Sequence, residues 1–272
     1  MAGKKKDTSL LHHLIGSRSL VWNLAKNDIK KKFAGSYFGV VWAFVQPVIT
    51  VLLYWFVFEK GLNSKATDLR TGIEIPFVLW LTAGLVPWFY FQEALNGGTG
   101  VLVEYSYLVK KVVFQIDMLP VVKMISALFT HLFFVAFTIV LFICMGYMPD
   151  WYALQVCMIL FATGLVYATS AVTVFFRDMK EVVGILLQIG MWVTPIMWNF
   201  ETMVQIPGWA ITVLKLNPMY YIVSGYRNAL INHIGFWEDM GLTVYFWVVT
   251  AVLLFLGTTV FKRLRPHFAD VL

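Results

Sequence analysis

Long apolar stretches alternate with short polar links along the whole chain. A helix rises about 1.5 Å per residue and a bilayer's hydrocarbon core is about 30 Å thick, so apolar runs of about 20 residues predict transmembrane helices. Six such runs stand out. They are 38–58, which carries no charge; 76–95, with Pro87 and Glu93 towards its end; 119–145, interrupted by charge only at Lys123; 151–176; 182–200; and 242–261. Between the last two, 206–234 is semi-apolar and broken by Pro207, Pro218, Lys215 and Arg227. It predicts short re-entrant or interfacial helices, because irregular backbone at membrane depth must be sheltered by protein or line a cavity.

Composition agrees with that pattern. Of 272 residues, 60% are hydrophobic and 13% charged, against about 45–50% and about 25% in soluble chains. A soluble domain, a disordered chain, a collagen-like repeat and a disulfide scaffold are all excluded. A net charge of +6 would fit nucleic acid if it were spread over a surface, but here it sits at the ends of apolar runs, so no nucleic-acid partner is expected. With six spans both termini share one side, and if that side is the cytosol it receives sixteen of the 21 Lys and Arg, leaving Lys60, Lys65, Arg70, Lys215 and Arg227 outside. The positive-inside rule therefore predicts a multi-pass membrane protein with both termini cytosolic. The predicted organisation is a cytosolic tail and interfacial helix (1–37), a six-span domain (38–262) and a cytosolic tail (263–272). No secretory signal peptide is expected, since the first long apolar run begins only at residue 38. Cys144 and Cys157 lie inside apolar runs and read as buried small side chains. No internal repeat is visible.

Catalytic and metal signatures are scarce. The Gly97-Gly98-Thr99-Gly100 cluster lacks the following Lys and the preceding strand of a phosphate-cradling loop, so the chain is not expected to hydrolyse ATP by itself. No metal-ligand spacing occurs, and His12-His13 reads as part of an interfacial segment. Ion-coupled carriers keep ionisable groups at mid-membrane; the clear candidate here is Lys123, one turn from its cytosolic end and able to snorkel.

Three segments carry sharper readings. Ser17 to Phe33 mixes Leu20, Val21, Leu24 and Ile29 with Arg18, Lys26, Asp28 and the Lys30-Lys31-Lys32 triplet, predicting a basic amphipathic helix in the cytosolic interface. It is a headgroup anchor, or a collar of Arg18, Lys26, Lys30, Lys31 and Lys32 for an anionic substrate such as a lipid diphosphate; one helix can do both. The link 96–118 predicts an Asn-Gly-Gly loop and then a short helix, Val101 to Val113, either a surface helix or the docking point of a cytosolic motor subunit. Aromatic residues at span ends, among them Trp80, Trp88, Trp198 and Tyr221, read as interfacial belts. Deeper ones keep helical spacing: Trp42, Gln46, Ile49, Leu53 and Phe56 in the first span, and Gln188, Trp192, Pro195 and Asn199 in the fifth. A face mixing a mid-span Gln with rings suits a passage for sugars, although helix packing explains the spacing as well.

Several blocks in order bear a family resemblance: Asp28 with Lys32-Phe33; Gly35 through Trp42 and Pro47; Gly84-Leu85-Val86-Pro87-Trp88; Val109 to Phe114 leading to Leu119-Pro120; Phe176-Arg177-Asp178 with Trp192-Val193-Thr194-Pro195; Leu216-Asn217-Pro218-Met219 with Tyr226-Arg227; and Phe268-Ala269-Asp270. Over essentially its whole length the chain resembles the permease subunit of polysaccharide ABC exporters of the O-antigen and teichoic-acid type. One departure is the usual Phe-Pro step, which reads Phe114-Gln115.

The resemblance implies an all-α integral membrane protein that pairs with a second copy of itself and with two copies of a cytosolic ATPase. ATP and Mg would then be held by that ATPase, and none by this chain, which would be a transport subunit rather than an enzyme. It implies a polyprenyl-diphosphate-linked glycan as substrate. It places ATPase coupling on Trp22, Glu104, Tyr105, Tyr107 and Leu108, and the pathway on the faces bearing Trp42, Gln46, Phe56, Gln188, Trp192 and Trp198. Two rival classes are a permease for a smaller lipid or drug, and a membrane-embedded enzyme on polyprenyl-linked sugars, for which Asp117, Asp178 and Glu181 are the available carboxylates.

Overall fold

The computed structural model describes residues 16–69, 71–110, 114–148, 154–198, 207–235 and 237–272. In chain order the helices are α1 (Arg18–Lys32), α2 (Trp42–Trp55), α3 (Phe77–Thr99), the short α4 (Val101–Glu104) and α5 (Ser106–Val109), α6 (Met118–Cys144), α7 (Leu154–Phe175), α8 (Met179–Val193), α9 (Gly208–Lys215), α10 (Pro218–Arg227), α11 (Met240–Leu264) and α12 (Phe268–Val271). Among the described residues, four helical stretches are long and apolar enough to cross a membrane: Trp42–Gly61, Met118–Cys144, Val156–Phe175 and Met240–Val271. The first joins α2 to a π-helical turn, Phe56–Gly61. Among the described residues the protein is a helical membrane protein, save for one two-residue strand pair, β1 (Ala66–Thr67) with β2 (Glu74–Ile75), which the sequence pattern did not announce.

The second predicted span forms α3, whose Trp, Tyr, Gln, Glu and Asn make it less apolar than those four. It is nonetheless the axis of the bundle: eighteen of its 23 residues are buried, and it packs against α2, α6, α7, α8 and α10. The fifth predicted span gives α8, which ends at Val193 after 15 residues, about 22 Å of helix. Thr194 is extended and precedes Pro195, and the residue before a proline is disfavoured in helical conformation. The expected helical register from Gln188 to Asn199 therefore breaks at Thr194-Pro195. Residues 151–153 of the fourth predicted span, and 199–200 of the fifth, lie outside the described residues. So do 111–113 of the coupling segment and Ile206.

Threonines are spread through the spans without disturbing them, because Thr82, Thr99, Thr138, Thr163 and Thr258 each donate to the carbonyl four residues back. Helix starts are marked by side-chain caps: Asn217 accepts from the Met219 amide ahead of Pro218, and Asp239 from the Leu242 amide. α7 and α11 approach backbone to backbone at Gly164 and Gly257. A Cβ at Gly164 would lie 2.7 Å from the Leu253 carbonyl carbon, and one at Gly257 would run into the Gly164 carbonyl. In lipid, where helices gain little from burying apolar surface, such small-residue contacts supply the van der Waals attraction.

Several expectations are corrected here. The Asn96-Gly97-Gly98 segment is not a loop: α3 continues to Thr99, since Gly98 is pressed against Val166, where no side chain would fit. The helix expected over Val101 to Val113 is two short helices, broken at Tyr105. Trp80, Trp88 and Tyr221 are buried and belong to the core rather than to a belt.

Gly257→Val should cost at least about 1–3 kcal/mol through overpacking. Gly241→Ala, at an exposed site, should leave stability near wild type. Thermal unfolding of the purified protein in detergent checks both, and an unchanged midpoint for Gly257→Val would mean that α7 and α11 do not meet as described.

Candidate functional site

One end of the bundle gathers α1, α4, α5 and the first turns of α6. α1 lies on α6 through Val21 and Ala25, which pack with Met118 and Val122. The same inward face carries Asp28, 5% exposed. A carboxylate this buried needs partners, or it gives up its charge. Two groups donate to its Oδ1: the Lys123 ammonium at 2.7 Å and the Tyr105 hydroxyl at 2.7 Å. Lys123 also holds Glu104 at 2.8 Å, Lys31 stands over the Tyr105 ring at 5.1 Å, and Lys32 reaches Glu93 on α3 at 2.6 Å. Lys123 therefore does not snorkel; it is held inside the protein by two carboxylates. Burial alone would raise the Asp28 carboxyl, but Lys123 and Tyr105 hold it below the usual carboxylate value. Burial, and then Asp28 itself, push the Tyr105 hydroxyl above its ordinary value.

Further contacts stitch the same end. Arg265, just past α11, meets Asp117 at 2.6 Å, and Tyr167 donates to the Asp117 carbonyl at 2.7 Å. Phe268 is buried against Phe261. Gln115, where the family resemblance has proline, accepts from the Ser17 hydroxyl at 3.2 Å and so ties the start of α1 to the start of α6.

The residues expected to form a cationic collar divide. Lys31 and Lys32 are engaged by Glu104 and Glu93, Lys26 stands over the Trp22 ring at 5.1 Å, and Arg18 and Lys30 are exposed. Of the residues assigned to coupling, Glu104, Tyr107 and Trp22 are exposed, Leu108 is half-buried, and Tyr105 turns inward to Asp28. Of the residues assigned to the pathway, all but the half-buried Trp198 are exposed, and Gln46 also lines the cavity described below. Trp42 and Gln46 are exposed on α2, Phe56 is 63% exposed in the π-helical turn, and Gln188 and the 57%-exposed Trp192 face outward on α8. Trp198 donates from Nε1 to the Trp192 carbonyl at 2.9 Å. α2 leans on α3 and α6, whereas α8 leans on α3 and α7, so the two faces flank the central helix.

At the opposite end, Arg227 is 7% exposed rather than in solvent. It donates to the carbonyls of Pro195 and Ile196 at 2.7 Å each, and its guanidinium stacks on Trp80 at 3.4 Å. Asn217 adds a hydrogen bond to the Thr194 hydroxyl at 2.9 Å. The backbone freed where α8 ends is thus satisfied from α10. Residue type alone gave no sign of this.

A cavity of about 890 Å³ lies between α1, α2, α3 and α6. The Asp28, Glu104 and Lys123 cluster sits at its charged end, and His131, at the midpoint of α6, lines its depth. His131 is an ionisable residue inside a span that the sequence reading passed over.

Apolar helices long enough to span a bilayer, a charge-stitched end and exposed aromatic faces define a membrane-embedded helical bundle. The family description of the ABC-2 type transporter matches residues 19–231, and the chain belongs to that family. Among similar proteins, the O-antigen export system permease protein RfbA of Myxococcus xanthus is 25% identical over 96% of this chain and 98% of its own length. A protein of the same name from Klebsiella pneumoniae is 22% identical over 92% of this chain and 93% of its own length.

Lys123→Met should strand Asp28 without its counter-charge and destabilise the protein by about 3–5 kcal/mol, with much of the loss recovered when Asp28→Leu is added. Because the folded-state value of Asp28 is depressed, its contribution is complete above 3.8 and drains away as pH falls through the folded value. Unfolding midpoints across pH check this; an acid dependence unchanged in Lys123→Met would contradict the role given to the pair.

Proposed function

We propose that the chain is the transmembrane subunit of an ATP-driven exporter that moves a polyprenyl-diphosphate-linked cell-surface polysaccharide, such as an O antigen or a teichoic acid, out of the cytosol of a bacterium. The observation that carries this reading is the near full-length similarity to O-antigen export permeases. In this reading α3 and α8 complete six spans, residues 206–234 form re-entrant helices at the outer side, and both termini are cytosolic. Two copies of the chain work with two copies of a cytosolic ATPase, which binds ATP and Mg.

The chain's own residues supply the path and the coupling. α2 buries only Ala43 and Val51 among its residues, and α8 only Val183 and Leu187. Two such helices expose Trp42, Phe56 and Trp192 in one protomer, and pairing two protomers covers those faces and lines a passage between them. Rings stack weakly on sugar C–H faces, which suits a polymer whose every step must release what it has just held. Trp22, Tyr107 and Glu104 are exposed beside the Asp28 cluster, so a push on α4 or α5 is delivered through Lys123 to α6 and through Asp28 to α1.

Trp42→Ala and Trp192→Ala should each lower surface glycan several-fold at normal protein level, with glycan-linked lipid accumulating inside. Quantifying surface and cytosolic-leaflet glycan tests this, and full export in both variants would sink the channel role.

A further inference from the structure

The cavity between α1, α2, α3 and α6 is contained within a single protomer, apart from the outward aromatic faces. Its lining changes with depth. Four lysines, Lys31, Lys32, Lys123 and Lys180, and three carboxylates, Asp28, Glu93 and Glu104, surround the charged end. Each carboxylate is engaged by a lysine, so one positive charge is left over. Deeper in, Gln46, Tyr90, Thr130 and His131 line the space. On α6, His131 is thirteen residues from Met118, about 20 Å along the axis and therefore at mid-membrane.

His131 is 3% exposed, and its ring lies 5.1 Å from that of Tyr90. The Val86 backbone is close to the ring but outside hydrogen-bond geometry, so neither imidazole nitrogen has a partner. A buried polar group left unpaired costs about 1–3 kcal/mol, and in hydrocarbon no bulk water offsets it. An orphaned imidazole lining a cavity of this volume, within the ordinary range for ligand pockets, is a hydrogen-bonding position awaiting a ligand atom.

We infer that each protomer binds a phosphate-bearing, hydroxylated headgroup in this cavity. The phosphate lies by the lysines, where the excess positive charge is. The hydroxyls reach inward to His131, Thr130 and Gln46, and the imidazole takes either the donor or the acceptor part. The lysine of α6 and His131 are eight residues apart, about 12 Å, which is the length of a compact headgroup rather than of an acyl chain. A phospholipid occupant goes beyond the transport reading, since the site needs no second protomer, whereas a carrier-lipid occupant rests on that reading. The headgroup comes either from a hydroxylated membrane phospholipid or from the diphosphate-sugar end of the carrier lipid.

The test uses the full chain copurified with its ATPase partner in nanodiscs, with native mass spectrometry reading retained ligand. One arm offers phosphatidylglycerol against phosphatidylethanolamine; the other offers a short-chain polyprenyl-diphosphate-linked N-acetylglucosamine. Wild type should retain phosphatidylglycerol or the diphosphate-sugar, and the arm that responds names the source. His131→Phe, which keeps the ring volume, should weaken retention roughly tenfold, the equivalent of about 1.4 kcal/mol, while His131→Gln keeps most of it. Thr130→Val, at a partly exposed position on α6, should also weaken retention and guards against a folding defect in His131→Phe. Retention of neither probe, or wild-type retention in both His131→Phe and Thr130→Val, would overturn the site and leave the cavity to water. Surface glycan measured in the same variants separates this from the transport reading: loss of retention with export intact leaves the exporter standing, whereas failed export in Trp42→Ala with retention intact does not touch the site.

Discussion

Asp28 and Lys123 are the pair on which the charged end of this protein depends. Neither charge is tolerable there alone, and each solves the other's problem at 2.7 Å. Because Asp28 is on α1 and Lys123 on α6, their attraction fixes a surface helix to a spanning one. Tyr105 and Glu104 then bring α4 and α5 to the same point. A break in the coupling segment at Tyr105, where an unbroken helix was expected, is what lets its hydroxyl reach Asp28. The short helices are subordinate to the ion pair.

The bundle is unequal around its axis. α3 is covered on most sides, and α7 and α11 are locked by two glycines that leave no room for a Cβ. α2 and α8 have few buried residues and expose rings. In the proposed transport reading these tasks are separated, with a tightly packed body on one side and lightly packed helices beside the proposed passage. The cavity behind α2 belongs to the same looseness: α2 meets α3 and α6 without filling the space between them.

Helix existence was legible from apolar run length; Asp239 caps the start of α11, and Gly146, in the left-handed region, follows the end of α6. Apolar runs do not say which helix becomes the axis. Trp80 and Trp88 read as belt residues, yet they are core, since a Trp near a span end looks the same in sequence whether neighbours cover it or lipid does. The exposed faces of α2 and α8 were visible as spacing, because rings and Gln recur at helical intervals. Long-range pairs were not visible. Asp28 with Lys123, Arg265 with Asp117, and Arg227 with the carbonyls of 195 and 196 join residues from 31 to 148 positions apart, and nothing local marks such partners. His131 was hidden for the opposite reason: a lone His in an apolar run carries no pattern.

Arg227 gives α8 an asymmetry of a mechanical kind. Its guanidinium, with the Asn217 amide, grips the backbone just past the Val193 end of α8, and the Trp80 ring backs that grip from α3. At its other terminus α8 begins from an exposed Asp178 that caps no amide with its side chain. The two ends of α8 are therefore held by different forces: polar bonds from α10 grip the end at Val193, whereas apolar packing of Met179 and the short hydrogen-bonded turn from α7 hold the other.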